Sequence, residues 1–176
     1  MATTIRTAVV PVGEIFALRW GVLRGGLPRE SAVFAEDEDP DAFHLAAYGP
    51  DTAPLGCGSF FREPFTGAPG AQRPPDAHAP APDAEAATAA DTATAADAAY
   101  RIRGMATAEQ ARGRGYGTAV LRAGVVEAVA RGARLLWCTG RTDARGFYER
   151  HGFAVSGAEF VIEGVGPHVV LVREIG

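Results

Sequence analysis

Tyr100 to Cys138 spell out a strand, a glycine-rich turn, a helix and a second strand, and that order dictates a parallel strand pair. Tyr100 to Thr107 alternates: Tyr100, Ile102, Gly104 and Ala106 fall on one face, Arg101, Arg103, Met105 and Thr107 on the other. Period-two alternation reads as a strand. Tyr116 to Arg131 changes period, with Val120, Leu121, Val125, Ala128 and Val129 forming the stripe of an amphipathic helix, and Gly132 stops it. Arg134 to Cys138 is short, apolar and bounded, as a buried strand is. A strand joined to the next through a helix returns parallel and adjacent to it. The chain therefore builds a sheet with at least one parallel pair, which excludes an all-helical fold.

The flanking elements extend that sheet. Residues 5–10 read as a strand, Glu14 to Arg24 as a helix, and Ala42 to Tyr48 with Pro54 to Phe61 as a hairpin around Gly49-Pro50-Asp51. After Cys138, Thr142 is placed to cap a helix over Asp143 to His151. Two strands follow, Ala154 to Ile162 and His168 to Glu174. The expected order is β-α-ββ-β-α-β-α-β-β, a mixed α/β sheet in one domain over 1–176. Residues 66–98 interrupt it. They contain no Val, Ile, Leu, Phe, Tyr or Trp, and bury too little apolar surface to offset their ordering entropy. They read as a disordered insertion, with helix over Asp83 to Ala99, serving either as neutral expansion or as a lid. The acidic run over 35–42 reads as a solvated loop.

Composition narrows the function classes. A net charge of −4 gives no basic footprint for nucleic acid. Cys57 and Cys138 are too far apart in sequence for a metal-ligand or disulfide pattern, so no metal is expected. The first residues lack the apolar stretch of a signal peptide, and no segment is apolar enough to span a bilayer. A cytoplasmic protein with free thiols, monomer or homodimer, is expected.

The turn itself carries chemistry. In Arg112-Gly113-Arg114-Gly115-Tyr116-Gly117 alternate glycines lead into a helix, whose first N–H groups and positive dipole end favour a phosphate. A triphosphate loop needs lysine, and the chain has none; a dinucleotide loop needs glycine where Thr118 stands. The pattern R/Q-x-x-G-x-G/A is matched throughout. With this loop after a strand, and Ala144-Arg145-Gly146-Phe147-Tyr148 followed by Gly152-Phe153 downstream, the chain resembles the GNAT superfamily of acyl-CoA N-acyltransferases. The stretches Phe16 to Arg24 and Glu159 to His168 are similar to its ElaA-like branch.

The resemblance implies the GNAT fold, a mostly antiparallel central sheet flanked by helices, and an enzyme that moves an acetyl group from acetyl-CoA to an amine. The backbone of Arg112, Gly113, Arg114, Gly115, Tyr116 and Gly117, with Thr118, would hold the pyrophosphate. Met105 and Thr107 would pair with the pantetheine arm, and an N–H near Met105 or Ala106 would polarise the acetyl carbonyl. Tyr148 would be the general acid beside the sulfur, with Phe147 on the same helix face. Many relatives carry Asn where this chain has Thr139-Gly140. Glu159, His168, His44 and Glu30 are candidates for the base, and Glu159 and His168 for substrate contact. The acceptor is expected to be a small amine, with a peptide amine or a non-catalytic acyl-CoA-binding module as alternatives.

Overall fold

A computed structural model of the chain describes residues 4–67 and 95–176. Seven strands form one sheet: β1 (Arg6–Val10), β2 (Phe43–Tyr48), β3 (Pro54–Arg62), β4 (Ala99–Thr107), β5 (Leu135–Arg141), β6 (Ala154–Ile162) and β7 (Gly166–Glu174). Their order is β1-β2-β3-β4-β5-β7-β6, and only β4 and β5 run parallel. Three helices, α1 (Val12–Leu23), α2 (Tyr116–Ala130) and α3 (Arg145–Glu149), cover this mostly antiparallel sheet in a single α/β domain. The crossover anticipated between residues 107 and 135 is therefore present, with α2 as its helix.

Alternation along the strands sorts the core onto two faces. On one, α2 lays Val120, Leu121 and Ala128 over Phe43, Leu45, Phe60 and Ile102. Burying a side chain such as Leu121 contributes about 1.5–3 kcal/mol. Gly124 joins this stripe because Phe60 occupies the space a Cβ would need, 2.1 Å from the ring edge. Val129, expected in the stripe, is 40% exposed near the helix end. On the other face, α1 sets Ile15 against Ala46, Cys57 and Ala106.

Three local expectations need correction. Thr142 does not cap a long helix: residues 142–144 form a 3-10 turn whose cap position is Arg141, without a side-chain bond, and α3 begins only at Arg145. The acidic run is not all solvated, because Asp37 pairs with a buried arginine. The insertion and the helix expected over Asp83 to Ala99 fall mainly on residues outside the described ones; of the remainder, 95–98 form a turn and Ala99 opens β4. The flanks of that stretch stay together, since the Phe65 N–H donates to the Ala96 carbonyl at 2.9 Å. Among the described residues no helix is long and apolar enough to cross a membrane.

Candidate active site

The site begins where the sheet comes apart. β4 and β5 pair from Ala99–Leu135 only as far as Ile102–Cys138. Beyond that point β5 stays with β7 as far as Arg141–His168, while β4 stays with β3 as far as Thr107–Gly56. The two strands diverge, and a cleft of about 460 Å³ opens between them. Residues 101–105 line it on one side and 139–141 on the other. Main-chain groups that lack a strand partner need another one, so this opening suits an extended ligand that pairs as a strand does.

A bulge shapes the β4 wall. Cys57 faces Ala106 and Ser59 faces Arg103, so Gly104 and Met105 together stand opposite Gly58. An extra residue of this kind breaks the ladder and re-aims the chain. Gly104 adopts φ +62, and an added Cβ there would lie 3.1 Å from Phe34 Cε2 and 3.2 Å from Arg19 Nε. Both the conformation and the space disfavour a side chain there. The bulge also corrects the alternation expected for this strand. Met105 joins Tyr100 and Ile102 on the α2 face, while Gly104 and Ala106 turn towards α1 beside Arg103.

The glycine-rich turn leads into α2 as expected and leaves fewer free amides than expected, a candidate anion cradle. A 3-10 turn over Glu109–Ala111 precedes it, and the N–H groups of Arg112 and Arg114 donate to Glu109 and Ala111 carbonyls at 3.2 and 3.3 Å. Those two amides are used locally. Gly115 takes φ +90 and serves as the helix cap without a side-chain bond. The following amides, of Tyr116, Gly117 and Thr118, are first-turn donors without intrahelical acceptors. No acidic residue lies in that turn to compete with an anion. The Tyr116 side chain is core, 1% exposed, so only its backbone is available. Arg112 and Arg114 are exposed beside the cradle.

Tyr148 projects from α3 onto the cleft. It is 6% exposed, with Phe147 and Phe153 packed edge-on against its ring. Burial, then the neighbouring Cys138 thiol, holds the phenol well above the ordinary 10.0, so it stays protonated. Phe147 lies beyond it, its ring 3.6 Å from where a Gly117 Cβ would stand, and so links α3 to the first turn of α2. Thr107 shares that junction. Thr139 lines the cleft on β5.

Of the four base candidates only His168 reaches the cleft. Its Nδ1 lies 2.8 Å from the Gly166 carbonyl, which makes Nδ1 the donor and leaves Nε2 as a lone-pair acceptor. His44 is held elsewhere, between Ser59 Oγ at 2.8 Å and the Asp37 carbonyl at 3.1 Å, and burial lowers its pKa below 6.5. Glu30 and Glu159 are exposed and away from the cleft walls.

Sequence reasoning missed Arg19. Helical spacing places it on α1, where a surface or cleft position is expected, yet it is 0% exposed. Its guanidinium bonds both Asp37 oxygens at 2.7 and 2.9 Å, Ser59 Oγ at 2.6 Å and the Ala32 carbonyl at 3.1 Å, and stacks on Phe34. It supports the bulge from below. The lone glycine inside a strand pattern is the signal that could have found this neighbourhood.

Residues 13–153 match the acetyltransferase (GNAT) family. The uncharacterized N-acetyltransferase YitI of Bacillus subtilis (strain 168) is 32% identical over 77 residues, 44% of this chain and 52% of that protein. The match thus spans about half the length of that relative. Among solved structures, a putative N-acetyltransferase from Lactobacillus plantarum superposes with a TM-score of 0.68 at 20% identity, over 100% of both chains. Escherichia coli ElaA does so with 0.61 at 14% identity, over 97% of this chain and 100% of that one. Those two likenesses are of fold. The family match runs from α1 through β4, the glycine-rich turn, β5 and α3, and the chain belongs to the acetyltransferase (GNAT) family.

Proposed function

We propose that this protein transfers an acetyl group from acetyl-CoA to an amine by direct attack. The observation that carries the reading is the opening between β4 and β5, with an anion cradle at one end and a protonated phenol on its wall. The amides of Gly113, Gly115, Tyr116, Gly117 and Thr118 would hold the pyrophosphate, with Arg112 and Arg114 beside it. The free edge of β4 at Met105 and Thr107 would take the pantetheine arm. A bulge amide at Met105 or Ala106 would donate to the acetyl oxygen as it gains negative charge.

His168 Nε2 would accept the proton of the attacking amine. The new N–C bond forms as the C–S bond breaks, and Tyr148 donates to the departing sulfur. A turn of the O–H bond would aim it from the neighbouring Cys138 thiol towards the sulfur of the cofactor. With a pKa held far above that of a thiol, the phenol stabilises the thiolate chiefly by hydrogen bonding. Cys57 and Cys138 are both buried and pushed up to about 12, so neither suits a covalent intermediate.

Thiol release from acetyl-CoA over a panel of amines tests the reading. Tyr148→Phe should lower kcat about 10²–10⁴-fold, with acetyl-CoA affinity unchanged. Wild-type protein that binds CoA yet acetylates no amine would instead mark a binding module.

A further inference from the structure

The two faces of the cleft differ in charge. Tyr148, Met105 and the cradle lie on the α2 and α3 side. On the α1 side the walls carry Arg24 at the end of α1, Arg101 and Arg103 on β4, and Arg141 on β5 opposite His168. No Asp or Glu lines the cleft among the described residues. Arg103 lies over Phe34 at 4.2 Å and Arg101 over Trp137 at 4.8 Å, which fixes both guanidinium planes.

Their charges are only partly met. Arg103 pairs with Glu36 at 3.2 Å and Arg101 with Glu63 at 3.3 Å, each through one terminal nitrogen. Arg24 bonds only main-chain carbonyls, of Ser31 and Leu23, and among the described residues has no carboxylate partner. Arg141 meets Asp143 only at 3.9 Å, with both side chains well exposed. Burial, then the neighbouring Arg101 charge, lowers the Arg103 pKa against the opposing pull of Glu36, Glu63 and Asp37. These groups stand across the sheet from the cradle, so the cofactor phosphates do not account for them.

We propose that the acceptor amine carries an anionic group, a carboxylate or a phosphate, bound by Arg24 and Arg103 with Arg141 at the rim. The inference rests on the acetyltransferase reading for its amine and on the arginine cluster for its anion. Guanidinium groups suit both oxyanions through paired N–H donors. A polycation such as spermidine meets repulsion here.

Matched acceptors separate these terms: phenylalanine against phenylalaninamide, and glucosamine 6-phosphate against glucosamine, with spermidine as the cationic member. Thiol release gives kcat/KM, and calorimetry on the CoA-saturated protein gives affinity independently of turnover. The anionic member of at least one pair should be favoured by about tenfold or more, the factor of one charge-assisted hydrogen bond. The pair that shows it distinguishes carboxylate from phosphate. Arg24→Gln and Arg103→Gln should each reduce that preference, with CoA affinity as the check on folding. Preference for neutral or cationic amines overturns the proposal, as does a preference that survives in both variants. Anionic amines that bind through Arg24 and Arg103 without turning over uphold the anion site and sink the transferase reading.

Discussion

Gly104→Ala isolates what the β4 bulge does. Alanine at φ +62 costs about 1–2 kcal/mol from the left-handed conformation alone. The new methyl also meets Phe34 and Arg19 at 3.1 and 3.2 Å, and neither yields easily. Arg19 is tied by four hydrogen bonds, and Phe34 is clasped between Arg19 and Arg103. Overpacking adds about 1–3 kcal/mol. A total near 2–5 kcal/mol lowers the melting temperature by about 4–20 °C for a domain of this size. The catalytic cost should be separate. Shifting the bulge amides away from the acetyl oxygen removes a preorganised donor, worth about 10²–10³ in kcat, while the cradle and hence CoA affinity stay intact. Gly115→Ala is the contrast. It shares the positive φ, but its nearest neighbour would be Ile5 Cδ1 at an ordinary 3.5 Å. Its loss should be confined to the conformational cost, and should weaken CoA binding more than kcat. Thermal unfolding and saturation kinetics on both variants decide the matter. An unaltered melting temperature in Gly104→Ala refutes the steric reasoning, and wild-type kcat in a folded, destabilised variant refutes the role given to the bulge.

Other perturbations probe the rest of the molecule. Asp37→Ala leaves the Arg19 guanidinium buried without its carboxylate and should cost about 3–5 kcal/mol, measured by urea unfolding. His44 is buried and its pKa lies below the unfolded 6.5, so the unfolded chain binds the extra proton first. Its contribution is present above pH 6.5 and is lost as pH falls through the lowered native value; in His44→Gln the acid-side decline in stability should be shallower. Thiols with pKa near 12 are ionised at pH 8 only on the order of one part in 10⁴. Iodoacetamide should therefore label neither cysteine until the protein is unfolded, which intact mass spectrometry shows directly.

The order of elements is legible in the sequence because each element repeats its own period. Tyr100 to Thr107 alternates, Val120 to Ala128 recurs at helical spacing, and glycines mark the breaks between them. The glycine cradle is legible for the same reason, since its chemistry is main-chain and local. What alternation cannot show is a single extra residue: the bulge at Gly104–Met105 inverts the facing of everything after it in β4, and only the partner strand reveals it. Arg19 and Asp37 hide for a related reason. A charged residue on a helix or in an acidic run reads as solvated until its partner, 18 residues away, arrives in space. His168 stands apart from His44, Glu30 and Glu159 only once the cleft exists, because it alone of the four lines it. The short α3 departs from a longer expected helix, since neither Thr142 nor any other side chain caps its start.

The parallel ladder between β4 and β5 holds just four residue pairs, and it is where two halves of the protein meet. α1 and α2 pack on strands β1 to β4, whereas α3 packs on β7. The seam between them coincides with the cleft. A ligand that bonds β4 on one side and Tyr148 or His168 on the other acts as a rivet across that seam. Occupancy at a hundredfold excess over its dissociation constant would add about 2.7 kcal/mol to unfolding. Amide exchange at residues 99–102 and 135–138 should slow the most, because opening there would need both halves to let go of the same molecule.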